Sequence, residues 1–95
     1  MCGIGGFSGR FDPEILREIN AAMVHRGPDD MGHYYEEDSH VGLCHVRLSI
    51  LDTSSLGHQP MESTDGSVIL VFNGEIYNFR ELRVELEAKG YVFRG

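Results

Sequence analysis

The apolar residues of this 95-residue chain change period several times, and that change restricts the fold more than any single motif does. Cys2–Ser8 is a Gly-interrupted run of strand length. Asp12-Pro13 then supplies an N-cap with proline in the first helical position. Ile15, Leu16, Ile19, Ala22 and Met23 fall on one helical face, while Glu14, Arg17, Glu18 and Asn20 fall elsewhere. Arg26-Gly27-Pro28-Asp29-Asp30 breaks this helix. His33–Glu36 and His40–Ser49 alternate loosely and are rich in Val, Leu and Tyr, which predicts a hairpin turning near Glu37–Ser39. Asp52–Gly66 is dense in Ser, Thr, Gly, Asp and Pro and predicts a long loop of the kind that carries function. Val68–Phe72 is a continuous apolar run, as in a strand covered on both faces. Asn78 with Glu81 has the form of a capping box, and Phe79, Leu82 and Leu86 predict the buried stripe of a second helix. Gly90 stands where a left-handed C-terminal cap belongs, and Tyr91–Phe93 reads as an incipient strand. This order of elements fits an α+β domain better than a regular parallel alternation.

Composition narrows the partners. A net charge of −7 with eight scattered basic residues argues against a nucleic-acid phosphate backbone, which is recognised by clustered Lys and Arg. No apolar run approaches the ~20 residues of a membrane span, and the N-terminus lacks the cationic start and apolar core of a signal peptide. No membrane partner and a cytoplasmic location are therefore expected. Without an export signal, Cys2 and Cys44 are a poor disulfide pair, and Cys44, among Val41, Leu43 and Val46, reads as a core residue. A domain of this length buries a modest share of its surface, so its stability alone is marginal.

Chemistry concentrates at a few positions. Removal of Met1 would leave Cys2 with both a thiol and a free α-amine, and such an amine titrates near pH 8, so it can serve as a built-in general base. The plainer reading of Cys2 is the inert start of a buried strand. Asn73-Gly74 is either a tight hairpin turn or an amide and a backbone N–H aimed into a site as an oxyanion hole. Only Glu75, Ile76 and Tyr77 precede the next helix start, which leaves little to pair as a return strand. Arg47 in an apolar strand and Glu75 beside Val71 and Phe72 would match the carboxylate and ammonium of a free amino acid; alternatively they pair with each other or reach solvent. Gly3, Gly5, Gly6 and Gly9 have the wrong spacing for a dinucleotide fingerprint and follow no strand. His25, His33, His40, His45 and His58 show no i, i+4 pair, so no metal site is expected.

Five motifs then occur in register: Met1-Cys2-Gly3-Ile4-Gly5-Gly6, His25-Arg26-Gly27-Pro28-Asp29-Asp30, Arg47-Leu48-Ser49-Ile50 with Asp52, Gly57-His58-Gln59-Pro60-Met61, and Phe72-Asn73-Gly74-Glu75-Ile76-Tyr77-Asn78. Together they resemble the glutaminase domain of glutamine-dependent asparagine synthetases, a class II glutamine amidotransferase of the N-terminal-nucleophile hydrolase type. Amidotransferases that make glucosamine phosphate or phosphoribosylamine share the leading cysteine and an Asn-Gly pair, but the Arg47 and Phe72 motifs are nearer the asparagine synthetase branch.

The resemblance implies a sandwich of helices and antiparallel sheets. It implies Cys2 as nucleophile with its own α-amine as base, and Asn73 and Gly74 as the oxyanion hole. Arg47 would hold the glutamine α-carboxylate, Glu75 the α-amino side, and Leu48 and Ile50 would line the pocket. It also implies that such a domain continues past Gly95, where the family's substrate-binding aspartate lies. Residues 1–95 are then expected to be its N-terminal part, truncated, with little glutaminase activity alone. The implied partners are glutamine and a synthetase domain in cis or trans, with a homo-oligomer left open. No cofactor is implied in this segment; ATP and Mg belong to the synthetase domain, which amidates aspartate. A different ammonia acceptor, or a non-catalytic interaction module, are the alternatives.

Overall fold

The computed structural model describes residues 2–48 and 57–93. Three strands form an antiparallel sheet in the order β1-β3-β2: β1 is Gly3–Ser8, β2 Asp30–Glu36 and β3 Val41–Arg47. The turn between β2 and β3 falls at residues 37–40, where the expected hairpin places it, and His40 there has φ +54°. Helix α1, Ile15–Met23, lies across one face of this sheet. The face is built for close approach: a Cβ at Gly5 would stand 2.6 Å from Ile19 Cγ2 and 3.1 Å from the Cys44 sulfur. Leu16, Cys44 and Val46 are wholly buried between helix and sheet.

Two details of α1 differ from the expected pattern. Asp12 is not the N-cap: its Oδ1 accepts the Glu14 N–H at 3.0 Å within a preceding turn, the cap position falls on Glu14 without a side-chain cap, and the regular helix starts at Ile15. Asn20 is buried whereas Ala22 is exposed. The reason is the β2 edge: Asn20 Nδ2 donates to the Gly32 carbonyl at 3.0 Å, so a polar side chain satisfies a strand edge that the helix covers.

The expected loop over Asp52–Gly66 is partly structured; its first residues, up to 56, lie outside the described ones. β4, Met61–Glu62, pairs with β5, Ile69–Leu70, around a turn organised by one carboxylate. Asp65 Oδ1 accepts from the Ser63 hydroxyl at 2.7 Å, the Ser67 hydroxyl at 2.7 Å and the Ser67 N–H at 3.0 Å. The expected doubly covered strand Val68–Phe72 is reduced to this two-residue ladder, and Val68, Leu70 and Phe72 are exposed. Nothing among the described residues pairs with the other edge of β5.

Helix α2, Phe79–Ala88, ends as expected. Gly90 has φ +93°, its N–H bonds the Glu87 carbonyl at 3.0 Å, and the Tyr91 N–H bonds the Leu86 carbonyl at 3.1 Å, the paired bonds of a Schellman cap. Its start differs: the Asn78 side chain caps nothing, so the capping box does not form. Its stripe differs too. Phe79 is 55% and Leu82 38% exposed, because no described element packs on this face. Tyr91–Phe93 forms no strand. The described residues make an α+β arrangement of two helices with two antiparallel sheets.

Candidate functional site

The period of β3 divides its side chains between two faces. Cys44 and Val46 pack under α1, whereas His45 and Arg47, both buried, face the opposite side, where residues 57–60 cross the sheet. Arg47 is enclosed by glycines. A Cβ at Gly57 would collide with its guanidinium, and one at Gly27 would lie 2.6 Å from its backbone nitrogen. The segment after α1 wraps this end of β3: Pro28 bridges Arg47, and the Asp29 N–H donates to the Arg47 carbonyl at 3.0 Å.

Cys2 stands one residue before β1, whose Gly3 is paired with Val46, and so sits beside the Arg47–Leu48 end of β3. Its side chain is half-buried, with Sγ 4.0 Å from the Leu48 carbonyl oxygen. Arg26 Nε donates to the Cys2 carbonyl at 3.1 Å, fixing the backbone of the residue that carries the thiol. Cys44 is a free, fully buried thiol, and burial pushes its pKa up.

The second layer is tied to β2. His58 Nδ1 meets Asp30 Oδ2 at 2.5 Å, and a Cβ at Gly32 would strike the Gln59 carbonyl and the His58 ring. Gln59 Oε1 in turn accepts the Phe72 N–H at 2.7 Å. Behind Phe72 lies His45, 1% exposed, with neither ring nitrogen in a hydrogen bond among the described residues. Burial lowers the His45 pKa; the Phe72 backbone and Asp30 pull the other way, and Arg47 and His58 oppose its charge.

The structure thus brings Cys2, Arg47 and Leu48 together. It leaves Asn73, Gly74 and Glu75 exposed beyond Phe72, with no hydrogen bond to Cys2 or Arg47 among the described residues. Ile50 lies outside the described residues. Three further residues belong to this surface: Arg26, His45 and Gln59. The period-2 relation of His45 to Arg47 was the signal for the first of the buried pair; Arg26 and Gln59 lay in two of the motifs above, but their partners Cys2 and Phe72, far off in sequence, were not signalled. Among the described residues, no group of three or more His, Cys, Asp or Glu is placed to hold a metal ion, and no helix is long and apolar enough to cross a membrane.

A half-buried cysteine thus stands at the same end of the antiparallel sheet as a buried arginine. Residues 1–95 match the family described as a glutamine amidotransferase domain, and the chain belongs to that family. It is 44% identical over 98% of its length to asparagine synthetase [glutamine-hydrolyzing] 1 of Bacillus subtilis, covering 15% of that protein. It is 44% identical over 87% of its length to the putative asparagine synthetase [glutamine-hydrolyzing] 2 of Methanocaldococcus jannaschii, covering 20% of it. Amidase chry2 of Gibberella zeae is 38% identical over 77% of the chain and is covered over 11%. The chain therefore spans at most a fifth of these relatives. No solved structure matches it significantly.

Proposed function

We propose that this chain carries the nucleophile end of an N-terminal-nucleophile glutaminase that releases ammonia from glutamine, in an asparagine-synthetase-like enzyme. The observation that carries the reading is the juxtaposition of Cys2 with the buried Arg47 at the β1/β3 end, with the Cys2 backbone held by Arg26. Family membership supports it.

Once Cys2 is the first residue, its α-amine takes the thiol proton as sulfur adds to the carbon of glutamine's side-chain amide. Asn73 and the Gly74 N–H stabilise the resulting oxyanion. The proton passes to the amide nitrogen, the C–N bond breaks, and ammonia leaves a γ-glutamyl thioester. Water then cleaves the C–S bond, giving glutamate and restoring the thiol. Arg47 holds the α-carboxylate, Glu75 the α-ammonium, and Leu48 and Ile50 line the pocket. The ammonia passes to a synthetase domain, in cis or trans, that uses ATP and Mg to amidate aspartate; a related enzyme would have another acceptor.

The exposure of Asn73–Glu75 favours a second reading, a non-catalytic interaction module. Both are tested by one set of measurements on the protein as its cell makes it. Intact mass of the N-terminus reports whether Met1 is removed, and glutamate release is compared between the native protein and Cys2→Ala. Glutaminase activity that disappears with the sulfur supports the enzyme. A retained Met1, or activity indifferent to Cys2→Ala, sinks it.

A further inference from the structure

The segment that follows β5 carries the Asn73-Gly74 pair but has little structure of its own. Its Phe72 N–H donates to Gln59 Oε1 at 2.7 Å. Gln59 is itself held to the main sheet. Its carbonyl lies against Gly32 of β2, and the preceding His58 is paired with Asp30 of the same strand. A continuous line of contacts therefore runs from β2 through residues 58 and 59 to the residue just before Asn73.

We propose that Gln59 is a positioning residue for this site, its side-chain carbonyl clamping the Phe72 N–H so that the Asn73 amide and Gly74 N–H stand where an oxyanion forms. The assignment rests on the glutaminase reading above. A neutral acceptor suits the place. Buried His45 lies behind the same backbone, and the bond that holds the Phe72 N–H is the one from the Gln59 side chain. Displacement of oxyanion donors by an ångström costs rate rather than substrate affinity, because the donors act on charge that develops only in the transition state.

The experiment uses the native full-length protein with Cys2→Ala, Gln59→Met and Gln59→Glu. Gln59→Met keeps the length and removes the acceptor; Gln59→Glu keeps an acceptor oxygen. Gln59→Met is expected to lower kcat for glutamine hydrolysis at least about tenfold, with KM within about threefold. It should also speed amide exchange at Phe72 while Cys44 and Val46 stay protected. Gln59→Glu is expected to keep kcat within about threefold. Unchanged Phe72 exchange in Gln59→Met, or equal loss in both Gln59 variants, overturns the clamp. Activity that survives Cys2→Ala refutes the glutaminase reading instead, and the exchange data then judge the clamp alone.

Discussion

Cys2 and Cys44 carry the same thiol in opposite surroundings. Cys44 is fully enclosed between α1 and the sheet, and burial raises its pKa, so its nucleophilic thiolate is scarce and unreachable. Cys2 is half-buried at the sheet end. Iodoacetamide under native conditions is therefore expected to label Cys2, and Cys44 only after denaturation; peptide mass mapping reads the difference, and early Cys44 labelling would refute the buried assignment. A second residue-scale expectation concerns Gly57. The Arg47 guanidinium occupies the space a Cβ there would need, so Gly57→Ala displaces it and, in the glutaminase reading, raises KM for glutamine about tenfold, the loss of one charge-assisted contact. Steady-state kinetics of the full protein check it. At this scale the sequence showed which residues were chemically out of place. Arg47 in an apolar strand was legible because a buried guanidinium is anomalous on its face. The task of Gln59 was not: its motif marked the stretch, but its partner thirteen residues away was not readable from the sequence.

Elements were legible where local chemistry decides them. The β2–β3 turn and the Gly90 cap follow from residues a few positions apart, and the structure places both as expected. Burial was less so: the stripe of α2 and the run Val68–Phe72 have core-like sequences, yet Val68, Leu70, Phe72, Phe79 and Leu82 are exposed and Ile69, Val71 and Leu86 only half-buried. Periodicity states that a face is apolar, not what covers it. An exposed helix held by Arg83–Glu87 and Lys89–Glu85 pairs at 3.5 Å gains only a few tenths of a kcal/mol from each. Backbone amides of α2 should then exchange orders of magnitude faster than those of β3 in the 95-residue chain, as native-state hydrogen exchange will read. Equal protection would mean that α2 is covered. The β4–β5 turn offers a sharper case. Three donors from Ser63 and Ser67 bring the Asp65 pKa down to about 2 from an ordinary 3.8, so the unfolded chain binds the proton first as pH falls. The stabilisation of this turn is present above pH 3.8 and is lost as pH falls through about 2, and carbon-13 titration of the Asp65 carboxylate should give a midpoint near the lower value. A midpoint near 3.8 would show that the three donors do not hold it.

Among the described residues, the apolar side chains that are fully buried are Leu16, Cys44 and Val46, with Asn20, His45 and Arg47 as buried polar ones. Leu16 is fully enclosed, so Leu16→Ala should cost about 2–5 kcal/mol, a large part of what a small domain has, as denaturant unfolding will read. The buried polar residues add a pH dependence. Neutral His45 is accommodated, but its protonated form would be desolvated and would face Arg47 and His58, with Asp30 and the Phe72 backbone only partly offsetting this. Its folded pKa is therefore lowered, and between that value and the ordinary 6.5 the unfolded state binds more protons than the folded one. The contribution of His45 is present in full above pH 6.5 and declines as pH falls toward its folded pKa. Denaturant midpoints measured from pH 8 to pH 5 should fall for the native chain and fall less for His45→Gln, which cannot titrate. Parallel curves would show that the second layer does not exclude water from β3, and with it the enclosed setting of Arg47 on the same face would be lost.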